Sequence, residues 1–158
     1  MNKTNAMRIL DKAKISYGLQ EYVVDENDLS GVHVAEQIGQ DPETVFKTLV
    51  ARGEKRGIVV FCIPVAREID LKKAARAIGD KKIEMVHVKE LLGLTGYIRG
   101  GCSPVGMKKK YPTFFHSSAA EHEKIAVSAG VRGCQLIIEP KILIDFTEGA
   151  VADLCKEE

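Results

Sequence analysis

The sequence predicts a mixed α/β fold, with a curled sheet of mixed or antiparallel strands and short helices packed around it. Three observations carry that expectation. Strand-like runs interleave irregularly with helical stripes of only two or three turns. Polar turns such as "GEKRG" join strand to strand without a helix between them. The last third, "PTFFHSSA", "KIAVSAG" and "RGCQLIIEP", reads as three successive strands, so it lacks the regular βαβ units of a doubly wound parallel fold.

Along the chain, "TNAMRILDKAKI" sets Ala6, Ile9, Leu10 and Ala13 on one helical stripe, with Thr4 or Asn5 as cap. "YGLQEYVVD" is extended through Tyr22, Val23 and Val24. "SGVHVAEQIG" is a helix with Val34, Ala35 and Ile38 on its apolar side and Gly39 as its stop. Asp41-Pro42 opens a helical turn that gives way to the strand "VFKTLVA". "IVVFCIPV" is apolar on both faces, as a central strand is. "DLKKAARAIG" is a compact helix from the Asp70 cap to Gly79, "IEMVHV" a strand and "VKELLGLTG" a short helix. After the three late strands, "PKILIDFTE" is a last helical segment before an acidic tail.

The totals exclude several classes. A chain of 158 residues with 45% hydrophobic and 28% charged residues has the balance of a folded globular protein. No repeat or low-complexity linker interrupts it, so residues 1–158 are expected to form one domain. A net charge of +1 excludes a nonspecific polycation, and any polyanion site must come from local clustering. No apolar run approaches the roughly 18 residues of a membrane span, and the N-terminus has charges throughout, so a cytoplasmic protein without a membrane partner is expected. Cys62, Cys102, Cys134 and Cys155 are widely spaced and form no CxxC pair, which leaves no metal or disulfide framework to predict.

Four stretches could carry chemistry. In "VFKTLVA", Lys47 shares a strand face with aliphatic Val45, Leu49 and Ala51. Such a lysine either snorkels to solvent from an edge strand or aims its ammonium into a cleft to meet an anion or a carbonyl oxygen. In "YIRGGCSPVGMKKKYPTFF", Gly100, Gly101 and Gly106 leave main-chain N–H groups open to an anion or a polarised carbonyl. A tight bulged turn reads the same way, and the loop has neither the Walker ending nor a dinucleotide fingerprint. Lys108, Lys109 and Lys110 form either a solvated turn or a contact to phosphates. In "VSAGVRG", Ser128 and its neighbours form a hairpin turn or the rim of a pocket. No HExxH, no GxSxG and no histidine partner for Cys102 is present, so the sequence offers no evident nucleophile, base or metal.

Taken in order, "EYVVD", "FKTLV", "DLKKAARAIG" with "KIEM", "TGYIRGGCSPVGMKKKYPTFF" and "VSAGVRG" resemble the YbaK/EbsC family, from about Met7 to about Asp145. These are bacterial aminoacyl-tRNA deacylases related to the editing domain of prolyl-tRNA synthetase. The resemblance implies a highly curved, barrel-like mixed sheet ringed by short helices. It also implies trans-editing of a mischarged ester, Cys-tRNA(Pro) in the YbaK branch, by an enzyme without cofactor or metal that works beside prolyl-tRNA synthetase. Lys47 matches the family's essential lysine, Thr48 its neighbour, Tyr22 the aromatic before the first long loop, Gly100 and Gly101 the glycine pair and Ser128 the serine of its segment. The resemblance groups Lys47, Gly100 and Gly101 as catalytic. It groups Tyr22, Thr48, Ser103, Gly106, Ser128 and Gly130 as substrate-binding, and Lys108, Lys109, Lys110 and Arg132 as contacts to tRNA phosphates. Two departures stand out: "DENDLSGVH" lacks the phenylalanine that some relatives carry near Ser30, and Gln135 stands where some members have an aspartate.

In those deacylases the substrate's own thiol is thought to attack its ester carbonyl, which would account for the missing protein nucleophile, because a held intramolecular nucleophile has a high effective molarity. Two other readings are a deacylase that clears another small residue such as alanine with water, and a non-catalytic module for the tRNA acceptor end or a synthetase.

Overall fold

A computed structural model describes residues 2–157; Met1 and Glu158, the two ends of the expected 1–158 domain, lie outside the described residues. Helix α1, Asn5–Lys12, begins where Thr4 Oγ1 accepts the Met7 N–H at 3.2 Å, and the same hydroxyl donates to the Ala129 carbonyl at 2.7 Å. One side chain thus starts the helix and fixes it to the hairpin that carries Ser128. Helix α2, Gly31–Gln37, is capped by Ser30. Asp70 caps α3, Leu71–Ile78, through the N–H groups of Lys72 and Lys73, and Gly79 ends it in the left-handed conformation. Helices α4, Val88–Thr95, and α5, Pro140–Phe146, complete the set.

The strands form two sheets. Strands β1 (Gly18–Glu21), β6 (Ile125–Ser128) and β7 (Cys134–Ile138) make an antiparallel sheet in the order β1-β7-β6. Strands β2 (Phe46–Gly53), β3 (Gly57–Pro64), β4 (Ile83–Met85), β5 (Thr113–His116) and β8 (Ala150–Ala152) make a mixed sheet in the order β4-β2-β3-β5-β8. The two-faced apolar run of β3 is explained by its central place. Phe46, Val50, Val60 and Cys62 face Val127, Leu136 and Ile138 across the main core, and Ala51, Val59, Phe61 and Ile63 pack on the other side against α3 and Leu154. Among the described residues no helix is long and apolar enough to cross a membrane.

The expectation of a mixed α/β fold is met, and the barrel-like closure requires correction. The two sheets meet at a corner, where Val45 bridges Ala126 and the Ala126 N–H donates to the Thr44 carbonyl at 2.9 Å. Among the described residues no ring of strands closes, because this corner is a single bridge. Smaller differences concern lengths. β1 ends at Glu21, before Tyr22–Val24, and β5 passes into a 3-10 turn at Ser117–Glu121. Strand β8 lies in the tail and pairs in parallel with β5, Phe114 opposite Ala150.

Candidate active site

The main cavity, about 400 Å³, lies along the open edge of β2. Strand β4 pairs only with Ala51–Gly53 and leaves the first part of β2 uncovered on that side. Every residue from Val45 to Val50 therefore lines the cavity, which faces the strand's edge instead of one of its sides. The start of α2 closes one wall with Ser30, Gly31 and Val34. The passage from β4 into α4 closes another with Met85, Val86 and Val88, and Ser128 and Gln135 form the floor at the β6–β7 pair.

This arrangement brings together Tyr22, the adjacent Lys47 and Thr48, Gly100 and Ser128 from four separate stretches of sequence. Lys47 stands opposite Ile63, on the α3 side of the sheet, and its Nζ donates to the Val65 carbonyl at 3.5 Å. Burial holds its pKa below the usual lysine value. Thr48, on the opposite side, lies with Oγ1 3.8 Å from the Cys62 sulfur. Ser128 Oγ accepts the Gly130 N–H at 3.1 Å, which orients the hydroxyl.

The glycine loop divides. Gly100 lines the cavity at φ +86°, a conformation that an L side chain adopts only under strain. Gly101 does not line it. Its N–H donates to the Ile98 carbonyl at 2.9 Å, and a Cβ there would sit 3.1 Å from the Arg132 nitrogen. Arg132 fastens the loop from outside, with Nε donating to the Arg99 carbonyl at 2.8 Å. Ser103 is fully buried below, its Oγ accepting the Val105 N–H at 3.2 Å. Gly106 and Gly130 pack against the Tyr97 ring and its hydroxyl. Lys108, Lys109 and Lys110 are exposed and lie outside the cavity lining; Lys110 pairs with Glu148.

Sequence reasoning did not single out Arg99, His87 or the Gly31–Val65 contact, all of which border the cavity. Arg99 sits inside the quoted glycine loop and was legible there; His87 and Val65 had no local signal. Among the described residues, cations and neutral groups line the cavity, and no Asp or Glu does. Cys102 also lines it, but burial pushes its thiol up to about 11, so it is protonated at neutral pH. The site can therefore receive an anionic ligand, and it holds neither a carboxylate base nor a ready thiolate.

A cation-lined cavity against a glycine turn, set at the junction of two sheets, is the arrangement of a protein that binds an anionic or carbonyl-bearing ligand. The family of the aminoacyl-tRNA editing domain matches residues 29–146, which include β2, the glycine loop and the β6–β7 pair, and the chain belongs to that family. It is 47% identical over 156 residues to the Enterococcus faecalis protein named "Putative Cys-tRNA(Pro)/Cys-tRNA(Cys) deacylase EbsC", covering 99% of this chain and 95% of the relative. It is 28% identical over 124 residues to the uncharacterized protein YwhH of Bacillus subtilis, covering 78% of each. A solved structure described as "a putative trans-editing enzyme for prolyl tRNA synthetase" superposes with a TM-score of 0.84 at 24% identity, over 99% of this chain and 100% of the other. The hypothetical protein APE2540 superposes at 0.85 and 19% identity, over 94% and 97%. At these identities the two structures speak for the fold alone.

Proposed function

We propose that this protein, acting as one editing domain in the cytoplasm, deacylates mischarged Cys-tRNA(Pro) by using the cysteine's own thiol. One observation carries the reading: among the described residues the cavity lining has two cations, a glycine turn, hydroxyls and the His87 imidazole, and no carboxylate to activate water. The relative at 47% identity, named for Cys-tRNA(Pro) and Cys-tRNA(Cys), supports the choice of cysteine. The thiol sulfur attacks the ester carbonyl carbon. The new C–S bond forms as the C–O bond to the ribose breaks, and the thiol proton passes to the departing ribose oxygen. The thiolactone that leaves is opened by water. The protein's share is to hold the reactive conformer and to stabilise the developing oxyanion with main-chain N–H groups at Gly100. Lys47 anchors the terminal phosphate or the ribose and ester oxygens, with Thr48, Ser128 and Tyr22 around the ester. Lys108, Lys109, Lys110 and Arg132 belong to the path of the upstream phosphates.

A net charge of +1 gives the chain little unaided affinity for tRNA. A ternary complex with prolyl-tRNA synthetase supplies it through effective concentration. The test is a substrate panel of Cys-, Ser- and Ala-tRNA(Pro). Rapid loss of the cysteine ester alone is expected; equal loss of the alanine ester, which has no side-chain nucleophile, defeats the thiol mechanism.

A further inference from the structure

Gln135 is a buried polar group of the cavity wall that this scheme leaves unused. It stands on β7 opposite Ser128, is only 6% exposed and lines the cavity. Its Oε1 is buried without a hydrogen-bond partner. A buried amide oxygen without a donor is costly, so its place at a cavity wall points to a donor that arrives with the ligand.

The neighbouring groups narrow which donor that is. Lys47 and Arg99 are cations that serve oxygen acceptors, and Ser128 Oγ already accepts from Gly130. The phosphate, carbonyl and ribose ring oxygens of an aminoacyl ester are all acceptors, and its thiol is a weak donor. Its free ribose hydroxyl and adenine amine are neutral donors and its α-ammonium is the charged one, and with no Asp or Glu among the described lining residues the buried amide oxygen is the acceptor that suits it.

We infer that Gln135 Oε1 accepts a hydrogen bond from the α-amino group of the esterified amino acid, a specificity contact that rests on the deacylase reading above. Held at its amine and at its ester, the amino acid has its Cα fixed and its side chain directed toward the carbonyl.

The experiment compares two esters on the same tRNA(Pro): cysteine, and 3-mercaptopropionate, which keeps the thiol and lacks the amine. Single-turnover rates of the full-length protein are taken relative to the uncatalysed loss of each ester, for wild type, Gln135→Leu and Gln135→Glu. Wild type is expected to favour cysteine by about tenfold. Gln135→Leu should slow the cysteine ester far more than the other and bring the ratio near one, and Gln135→Glu, which retains an acceptor, should keep the preference. Equal wild-type rates on the two esters overturn the inference without needing any variant, as does a Gln135→Leu protein that slows both alike. Failure of wild type to cleave either ester removes the deacylase reading itself, and the inference with it.

Discussion

Lys47 and Thr48 line one cavity although the pleat of β2 sends their side chains to opposite sides of the sheet. The cavity wraps the strand's uncovered edge, so the lysine reaches it from the α3 side and the threonine from the inter-sheet side.

Removal of the Lys47 ammonium is expected to reduce single-turnover deacylation by about 10²–10³-fold in Lys47→Ala, the scale of losing one preorganised electrostatic contact. Because burial lowers its pKa from 10.5, activity should fall on an alkaline limb that begins below that value. Stability has the opposite dependence. Between the lowered folded pKa and the unfolded value the unfolded chain binds more protons, so this lysine's contribution improves as pH rises. Lys47→Met should therefore melt above wild type at pH 7, with the gap narrowing as pH approaches 10.5. Melting curves across pH check this, and a Lys47→Met protein that melts lower at every pH would contradict it.

Gly31 opens α2 where the helix touches Val65. A Cβ at Gly31 would lie 2.3 Å from Val65 Cγ1, and Val65 is itself held by its N–H donating to the Val45 carbonyl at 2.8 Å. Gly31→Ala should cost about 1–3 kcal/mol through overpacking and displace the cavity wall. Val65→Ala in the same chain should recover most of that loss. A double-mutant cycle measured by denaturation tests the coupling, and simple additivity of the two changes would show that the contact is not the cause.

Much of this was legible where local chemistry suffices. The Asp70 cap and Gly79 stop bracket α3 in the sequence as they do in the structure, and the doubly apolar run of β3 marks the middle of its sheet. What was not legible depends on distant partners. Strand β8 is an Ala-Val-Ala edge with weak intrinsic preference, and it forms because β5 offers a free parallel edge. Tyr22–Val24 has strand composition but lies past the end of the β1–β7 ladder, which stops at Cys134. The glycine loop looked uniform, yet only Gly100 of its glycine pair faces the cavity, because Gly101 is packed on Val131 and Arg132. No spacing in the chain could tell those two apart.

Cys102 offers a direct check that the protein supplies no thiol nucleophile. Its pKa, raised to about 11 by burial, leaves very little thiolate at pH 7. Cys102→Ala should retain deacylation within a few-fold of wild type, since the side chain is small and only its volume is lost. Iodoacetamide at pH 7 should inactivate slowly, and faster as pH rises toward 11. Loss of activity comparable with that of Lys47→Ala would place Cys102 in the reaction.

The lysine run gives a prediction whose signature is salt and not rate. Lys108, Lys109 and Lys110 are all exposed and lie beyond the lining of the main cavity, so they can act only on RNA upstream of the ester. Each lysine that neutralises a phosphate releases counterion, and log–log plots of affinity against salt steepen by roughly 0.7–0.9 per contact. Lys109→Gln should therefore weaken tRNA binding at low salt and flatten the plot by about one contact, with little change in the turnover of bound ester. Lys110→Gln should do less, because Glu148 already pairs with that ammonium and competes with the phosphate. Glu148→Gln, which frees Lys110, should tighten binding at low salt and steepen the plot. Identical slopes in all three variants would take the lysine run off the path of the RNA, leaving Lys47 and Arg99 as the cations that meet it.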